Sequence, residues 1–194
     1  MSTPEHEGST LEELIAIRRQ HLKNFQEAGL NPWGGRYRRT HQAQAIHQEH
    51  EKLQADEEGS QVCVAGRVTA YRSHGKATFL DLTDISGRIQ CYFRQNDLGE
   101  SNYALLENVD VGDFLGVEGK VFRTRRGEIS IAVAQWTPLS KALRPPPEKW
   151  HGLKDIDLRY RQRYVDLLSN AEVRATFQLR SRILSAMRRY LDGL

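Results

Sequence analysis

The sequence predicts a mostly β protein with flanking helices: a small five-stranded Greek-key barrel, preceded by helices and followed by a linker and further helices. Three observations predict it. From Gln61 to residue 140 apolar and polar residues alternate and β-branched residues are frequent, whereas the segments on either side repeat their apolar residues at helical spacing. Five strand-like runs fall inside that stretch, and short glycine- and serine-bearing turn signals punctuate it. The composition, 39% hydrophobic and 27% charged with mean hydropathy −0.63, suits a soluble chain, since no apolar run approaches the roughly 18 residues a membrane helix needs.

In order along the chain, residues 1–9 are expected to be a disordered tail, with no apolar side chain after the initiator methionine to offset the cost of ordering. Residues 10–59 form an N-terminal helical segment. Ser9 with Glu12, or Thr10 with Glu13, can make a capping box, and Leu11, Leu14, Ile15, Leu22 and Phe25 follow at helical spacing until Gly29. A second helix is expected over 40–58. Its large apolar residues are Ile46 and Leu53, so it should be mostly exposed and marginal unless it leans on something.

The strands are expected at 62–71, 77–83, 88–93, 114–123 and 129–136, with turns at Ser73-His-Gly, Asp84-Ile-Ser-Gly and Arg125-Arg-Gly and a short helix over 103–109. Three strands, a helix and two strands within residues 61–140 is the order of the oligonucleotide/oligosaccharide-binding fold (OB-fold), although an open β-sandwich is the alternative. Residues 141–168 read as a linker, stiffened by Pro145-Pro-Pro, and a short helix over 155–168. Ser169 with Glu172 then offers a capping box for an amphipathic helix that ends the chain at 169–194, with Val173, Phe177, Leu184, Met187 and Leu191 on one face.

The net charge of +3 is unevenly spread. Residues 1–60 carry 7 basic and 10 acidic side chains, residues 61–140 carry 9 of each, and residues 141–194 carry 12 and 6. The basic end is either a phosphate-binding surface or an arginine-laced helix face or subunit contact. Cys63 and Cys91 fit a reducing cytosol, and the acidic start lacks the basic segment and apolar core of an export signal, so a cytoplasmic location is expected. No glycine-rich phosphate loop, nucleophile elbow or metal-ligand spacing occurs, so no catalytic or metal residue is assigned. His41, His47 and His50 are expected to be solvated, His74 to be a turn residue or a phosphate contact, and the two cysteines to be small barrel fillers.

Strand parity sorts the barrel residues without reference to any structure. Leu80 and Leu82 should face in, which puts Phe79, Asp81 and Thr83 outside; Ile89, Cys91 and Phe93 should face in, which puts Arg88, Gln90 and Tyr92 on the same outer surface. A flat ring, an amide and cations together suit single-stranded nucleic acid, each stacked base being worth about 1–3 kcal/mol. Arg72 and Lys76 before strand 2, Arg88, and Arg123, Arg125 and Arg126 in the last hairpin are the candidate phosphate contacts. The alternative is that Phe79 is covered by the N-terminal helices and the barrel is structural or binds protein.

Three segments then resemble a known family. They are Val64-Ala-Gly-Arg-Val through Gly75-Lys-Ala-Thr-Phe-Leu-Asp-Leu and Gly87-Arg-Ile-Gln; Gly112-Asp-Phe-Leu-Gly-Val-Glu-Gly with Thr124-Arg-Arg-Gly-Glu-Ile-Ser-Ile; and Lys141-Ala-Leu-Arg-Pro-Pro-Pro-Glu-Lys-Trp-His-Gly-Leu through Arg159-Tyr-Arg-Gln-Arg-Tyr-Val-Asp-Leu. The first two suit the aspartyl and asparaginyl enzymes too; the third resembles class II lysyl-tRNA synthetases specifically. The resemblance implies that Phe79 stacks on the central anticodon uridine, Gln90 hydrogen-bonds its edge, Arg72 contacts the anticodon loop and Glu128 reads another anticodon base. It implies tRNA-Lys, a catalytic domain and a second copy of the parent as partners, and ATP and magnesium as cofactors of that parent rather than of this chain. Residues 171–191 resemble the motif 1 helix, while motifs 2 and 3 have no counterpart, so the chain is expected to be an N-terminal fragment that is inactive alone. A freestanding nucleic-acid-binding barrel, or a regulatory relative, is the alternative.

Overall fold

The alternation that begins at Gln61 is realised as five strands that close on themselves. In the computed structural model, which describes residues 10–55, 57–147, 153 and 155–194, they are β1 (Glu58–His74), β2 (Ala77–Thr83), β3 (Arg88–Arg94), β4 (Phe114–Arg123) and β5 (Ile129–Ser140). The closed order is β1-β2-β3-β5-β4, antiparallel except where β3 meets β5 through Gln90↔Ser130, Cys91↔Ile131 and Tyr92↔Ala132. A parallel pair cannot be joined by a tight turn. The chain between β3 and β5 accordingly holds α3 (Gln95–Leu98), α4 (Glu100–Ala104), a 3-10 turn (Leu105–Asn108) and β4. The single short helix expected over 103–109 is therefore three pieces beginning earlier, separated first by Gly99 at φ 79°.

Parity sorts the faces as expected. Leu80, Leu82, Ile89, Cys91 and Phe93 are all within 2% of full burial, each large apolar side chain contributing about 1.5–3 kcal/mol relative to exposure. β1 is long enough to serve two neighbours, pairing with β4 up to Arg67 and with β2 from Arg67 onward, with a register shift between Val68 and Ala70 that bends it. Closure also needs Gly119, where a Cβ would stand 2.0 Å from the Ala132 carbonyl oxygen.

The described residues fall into two compact units, Met1–Pro145 and Pro146–Leu194. In the first, α1 (Leu11–Glu27) starts on the Thr10–Glu13 capping box; the Ser9 alternative, like the tail at 1–9, lies outside the described residues. α1 lays Phe25 edge-on to Trp136 at 6.2 Å, and its Arg18 donates to the carbonyls of Ala142 (2.8 Å) and Val111 (3.0 Å). The second helix departs from expectation. α2 spans only Ala43–Glu49, and it is not mostly exposed, because Ala43, Ile46 and the following His50 are buried. The helix ends at the His50 cap, and β1 begins only at Glu58. A second correction concerns Lys141. It was expected to open the linker, but it is buried, and its Nζ donates to Asp113 (2.7 Å), Asp110 and the Asn108 carbonyl (2.7 Å), which fixes the chain to the barrel. Of the linker beyond, residues 148–152 and 154 lie outside the described residues.

In the second unit the helix expected over 155–168 is two, α5 (Ile156–Arg161) and α6 (Arg163–Ser169), broken at Gln162 with φ −117° and ψ 56°. Asp155 caps α5 by accepting from the Leu158 N–H at 3.1 Å. The Ser169–Glu172 capping box does not form, because the Ser169 hydroxyl donates back to the Val165 carbonyl (2.9 Å) and α7 (Ala171–Leu191) starts after Asn170 instead. Asp166, fully buried, ties the unit together by accepting from Arg159 (2.8 Å), Arg163 and Asn170.

Candidate nucleic-acid interface

The β2–β3 ladder brings the outward residues into register. Phe79 lies opposite Tyr92, Asp81 opposite Gln90 and Thr83 opposite Arg88, while Arg72 of β1 lies opposite Phe79. Alternation in β2 and β3 leaves each of these on the face that Leu80, Leu82 and Cys91 do not occupy. The Phe79 and Tyr92 rings stack with centroids 4.6 Å apart and 19° between planes. His74 meets Phe79 edge-on at 6.5 Å, and Tyr92 leads on to Phe122 of β4 at 6.0 Å. The ring neighbours of Phe79 come from the barrel, and Phe79 keeps part of its surface exposed, so the N-terminal helices do not bury it. Sequence reasoning placed Phe79 and Tyr92 on this face but missed Phe122, although parity in β4, with Val121 inward, would have found it.

Beside the rings runs a chain of charge-assisted hydrogen bonds. Asp81, 5% exposed, accepts from Arg72 Nη2 at 2.8 Å and from Arg88 Nη1 at 2.8 Å. The other guanidinium nitrogen of Arg88 donates to Glu128 Oε1 at 2.6 Å, and Gln90 Nε2 donates to Glu128 Oε2 at 3.0 Å. The Ser130 hydroxyl, fully buried, donates to Gln90 Oε1 at 3.0 Å. Arg72, Gln90 and Glu128 are thus brought together with Arg88 in one network, and the Asp81 hydrogen bond pushes the Arg88 pKa further up. Sequence reasoning put Asp81 on the right face without giving it a partner, and it had no signal for Ser130.

The other candidate cations divide. Lys76 at the β1–β2 turn and Arg125 and Arg126 at the β4–β5 turn are exposed and form no ion pair among the described residues. Arg123 was expected to contact phosphate; instead its guanidinium donates to the carbonyls of Leu53, Glu51 and Gly127 (2.7 Å), which staples the segment after α2 to the hairpin. A guanidinium whose three nitrogens each donate to a carbonyl is a structural tie rather than a free cation. The histidines also need correcting. His50 is buried, with Nδ1 3.0 Å from the Ile46 carbonyl and Nε2 3.1 Å from the Ser60 hydroxyl, and His47 Nε2 lies 2.9 Å from the Arg88 carbonyl. Cys91 is a core residue whose thiol pKa is pushed up by burial, while the half-buried Cys63 thiol donates to the Tyr37 hydroxyl at 3.1 Å.

Residues 62–139 match the tRNA anti-codon family, described as an OB-fold nucleic acid binding domain. The chain is similar to a lysine–tRNA ligase of Moorella thermoacetica, 53% identical over 181 residues, which is 93% of this chain and 36% of that ligase. A lysine–tRNA ligase of Syntrophomonas wolfei is 51% identical over 94% of this chain and 36% of its own length, and one of Bacillus subtilis is 43% identical over 99% and 39%. The chain spans little more than a third of the length of these relatives. A closed five-stranded barrel with rings, an amide and cations on one face matches the OB-fold nucleic acid binding domain of the tRNA anti-codon family, and the sequence identity that continues beyond the barrel on both sides makes the chain similar to lysine–tRNA ligases over little more than a third of their length.

Proposed function

We propose that this chain is the part of a lysine–tRNA ligase that reads the anticodon of tRNA-Lys. Phe79 stacks on the central anticodon uridine and Gln90 hydrogen-bonds its edge; Arg72 contacts the anticodon loop, and Glu128 reads a neighbouring base. Lys76, Arg88, Arg125 and Arg126 supply contacts to phosphates. The full-length ligase activates lysine with ATP and magnesium and passes it to the tRNA, acting as a dimer; this chain contributes discrimination by the anticodon. The observation that carries the reading is the Phe79–Tyr92 platform beside the Arg72–Asp81–Arg88–Glu128–Gln90 network, a stacking surface with base-edge donors and cations within one face.

The test is the affinity of the chain for an anticodon stem-loop with a central uridine, against the same stem-loop with that base changed. The uridine form binds more tightly, and Phe79→Ala removes about 1–3 kcal/mol of binding with no loss of fold. The logarithm of affinity falls with the logarithm of salt by about 0.7 for each loop phosphate contacted. Equal affinity for the two stem-loops, together with an inert Phe79→Ala, would overturn the reading.

A further inference from the structure

The network on the binding face has a carboxylate at its centre, which is the wrong sign for a surface that meets a polyanion. Asp81 points out of the barrel core yet is 5% exposed, because two guanidinium groups cover it. Arg72 donates through Nη2 (2.8 Å) and Nη1 (3.4 Å), and Arg88 donates through Nη1 (2.8 Å). The two arginines come from strands on opposite sides of β2, Arg72 from β1 and Arg88 from β3. Alone they would repel one another, and each would spread over many rotamers. With Asp81 between them, both are held on the phenylalanine side of the sheet. Arg72 is fixed opposite Phe79, and Arg88 keeps its second nitrogen on Glu128. A preorganised guanidinium loses less freedom when it meets a phosphate or a base than a mobile one does.

We propose that Asp81 is a positioning residue for nucleic-acid recognition, holding Arg72 and Arg88 at a fixed place beside the Phe79 ring. The proposal rests on the reading of this face as the RNA site and adds a residue to it that touches no RNA. It also makes a prediction of opposite sign to simple charge counting. Removing a negative charge from a surface that binds a polyanion strengthens binding if charge alone matters. It weakens binding if the carboxylate is what keeps the cations in place.

The experiment uses the full chain and the uridine-centred anticodon stem-loop. Asp81→Asn preserves the shape and removes the charge. It should weaken binding by about three- to tenfold, and it should flatten the salt dependence by about 0.7 for each phosphate that the two arginines no longer neutralise. In an Arg72→Gln, Arg88→Gln background the same substitution should have no further effect, because nothing remains for it to position. A merely structural carboxylate would lower the melting temperature equally in both backgrounds without moving the salt slope. Asp81→Glu keeps the net charge and shifts the carboxylate by one methylene, so it should also weaken binding; it serves where the asparagine variant does not fold. Tighter or unchanged binding by folded Asp81→Asn, or an equal loss in the double-arginine background, overturns the proposal. Phe79→Ala is measured alongside: if it is inert, the RNA reading itself is wrong and the proposal falls with it, whereas an active Phe79 with an inert Asp81 removes the proposal alone.

Discussion

Lys141 shows how far a single side chain can depart from its sequence neighbourhood. It precedes a proline run and reads as linker, yet its ammonium is shut off from solvent; it donates to two carboxylates and a carbonyl and lies 5.7 Å from the Phe25 ring centroid. Burial alone would raise the pKa of Asp110, but hydrogen bonds from His21 and Lys141 hold its carboxyl below the usual range. Asp113, with Oδ1 accepting from the Ala142 N–H and Oδ2 shared between Lys141 and the Asp110 N–H, is the deeper of the two. Removing the cation leaves the buried Asp113 carboxylate and the partly buried Asp110 carboxylate without the ammonium they share. Lys141→Met should therefore cost about 3–5 kcal/mol in urea unfolding at neutral pH. The loss should shrink below about pH 5, where the orphaned carboxyls can take up a proton. Charge in a sequence tells where a cation is along the chain, not what it meets. Arg123 and Lys141 escape sequence reasoning for that reason: Arg123 finds acceptors at Leu53 and Glu51, and Lys141 at Asp110 and Asp113, all in other elements of the fold, and no local pattern encodes them.

At the scale of elements, the sequence was most legible where one periodicity decides the answer. β2 and β4 have the bounds that alternation predicts, and Phe79 and Gln90 lie on the face that parity assigns them. It was least legible where an element is held by another. α2 has no side-chain cap of its own; the β2–β3 turn provides one, Asp84 Oδ2 accepting from the Ala43 N–H at 2.9 Å while Oδ1 accepts from Ser86 and Gly87. Burial acts to raise the Asp84 pKa, but these hydrogen bonds outweigh it and hold the carboxyl below its ordinary 3.8. A carboxyl depressed on folding contributes stability that is complete above its unfolded pKa and lost as pH falls through the folded one. Asp84→Ala should accordingly lower stability by about 1–2 kcal/mol at pH 7. The difference from the parent should close as pH is taken below 3.8, measured by urea unfolding at each pH. A gap that persists undiminished at the lowest pH would mean that the side chain acts through packing and not through its charge.

At the scale of the whole molecule, the two compact units are stabilised by different means. Met1–Pro145 contains the apolar core, with α1, α2 and the Lys141 cluster all fastened to the barrel. In Pro146–Leu194 the buried side chain among the described residues is Asp166, not an apolar one, and α7 exposes Leu179, Ile183, Met187 and Leu191. Its basic excess is also divided: Arg159 and Arg163 are engaged by Asp166 and Arg161 by Asp157, whereas Arg180, Arg182 and Arg188 lie exposed along α7. An ion-paired helical unit with no buried apolar residue among those described has little to offset its conformational entropy. Residues 146–194 alone should therefore show little helix by circular dichroism, while residues 1–145 should melt cooperatively at a temperature close to that of the full chain. The same pair of proteins separates the two readings of the basic end that composition leaves open. If the arginines of α7 face protein, residues 1–145 bind the anticodon stem-loop with the affinity and salt slope of the full chain. If they bind RNA, the shorter protein loses about 0.7 of slope for every phosphate they had neutralised. The ion pairs on Asp166 and Asp157 already engage Arg159, Arg161 and Arg163, so any RNA contact made by this unit falls to the exposed arginines of α7, and the difference in slope counts them.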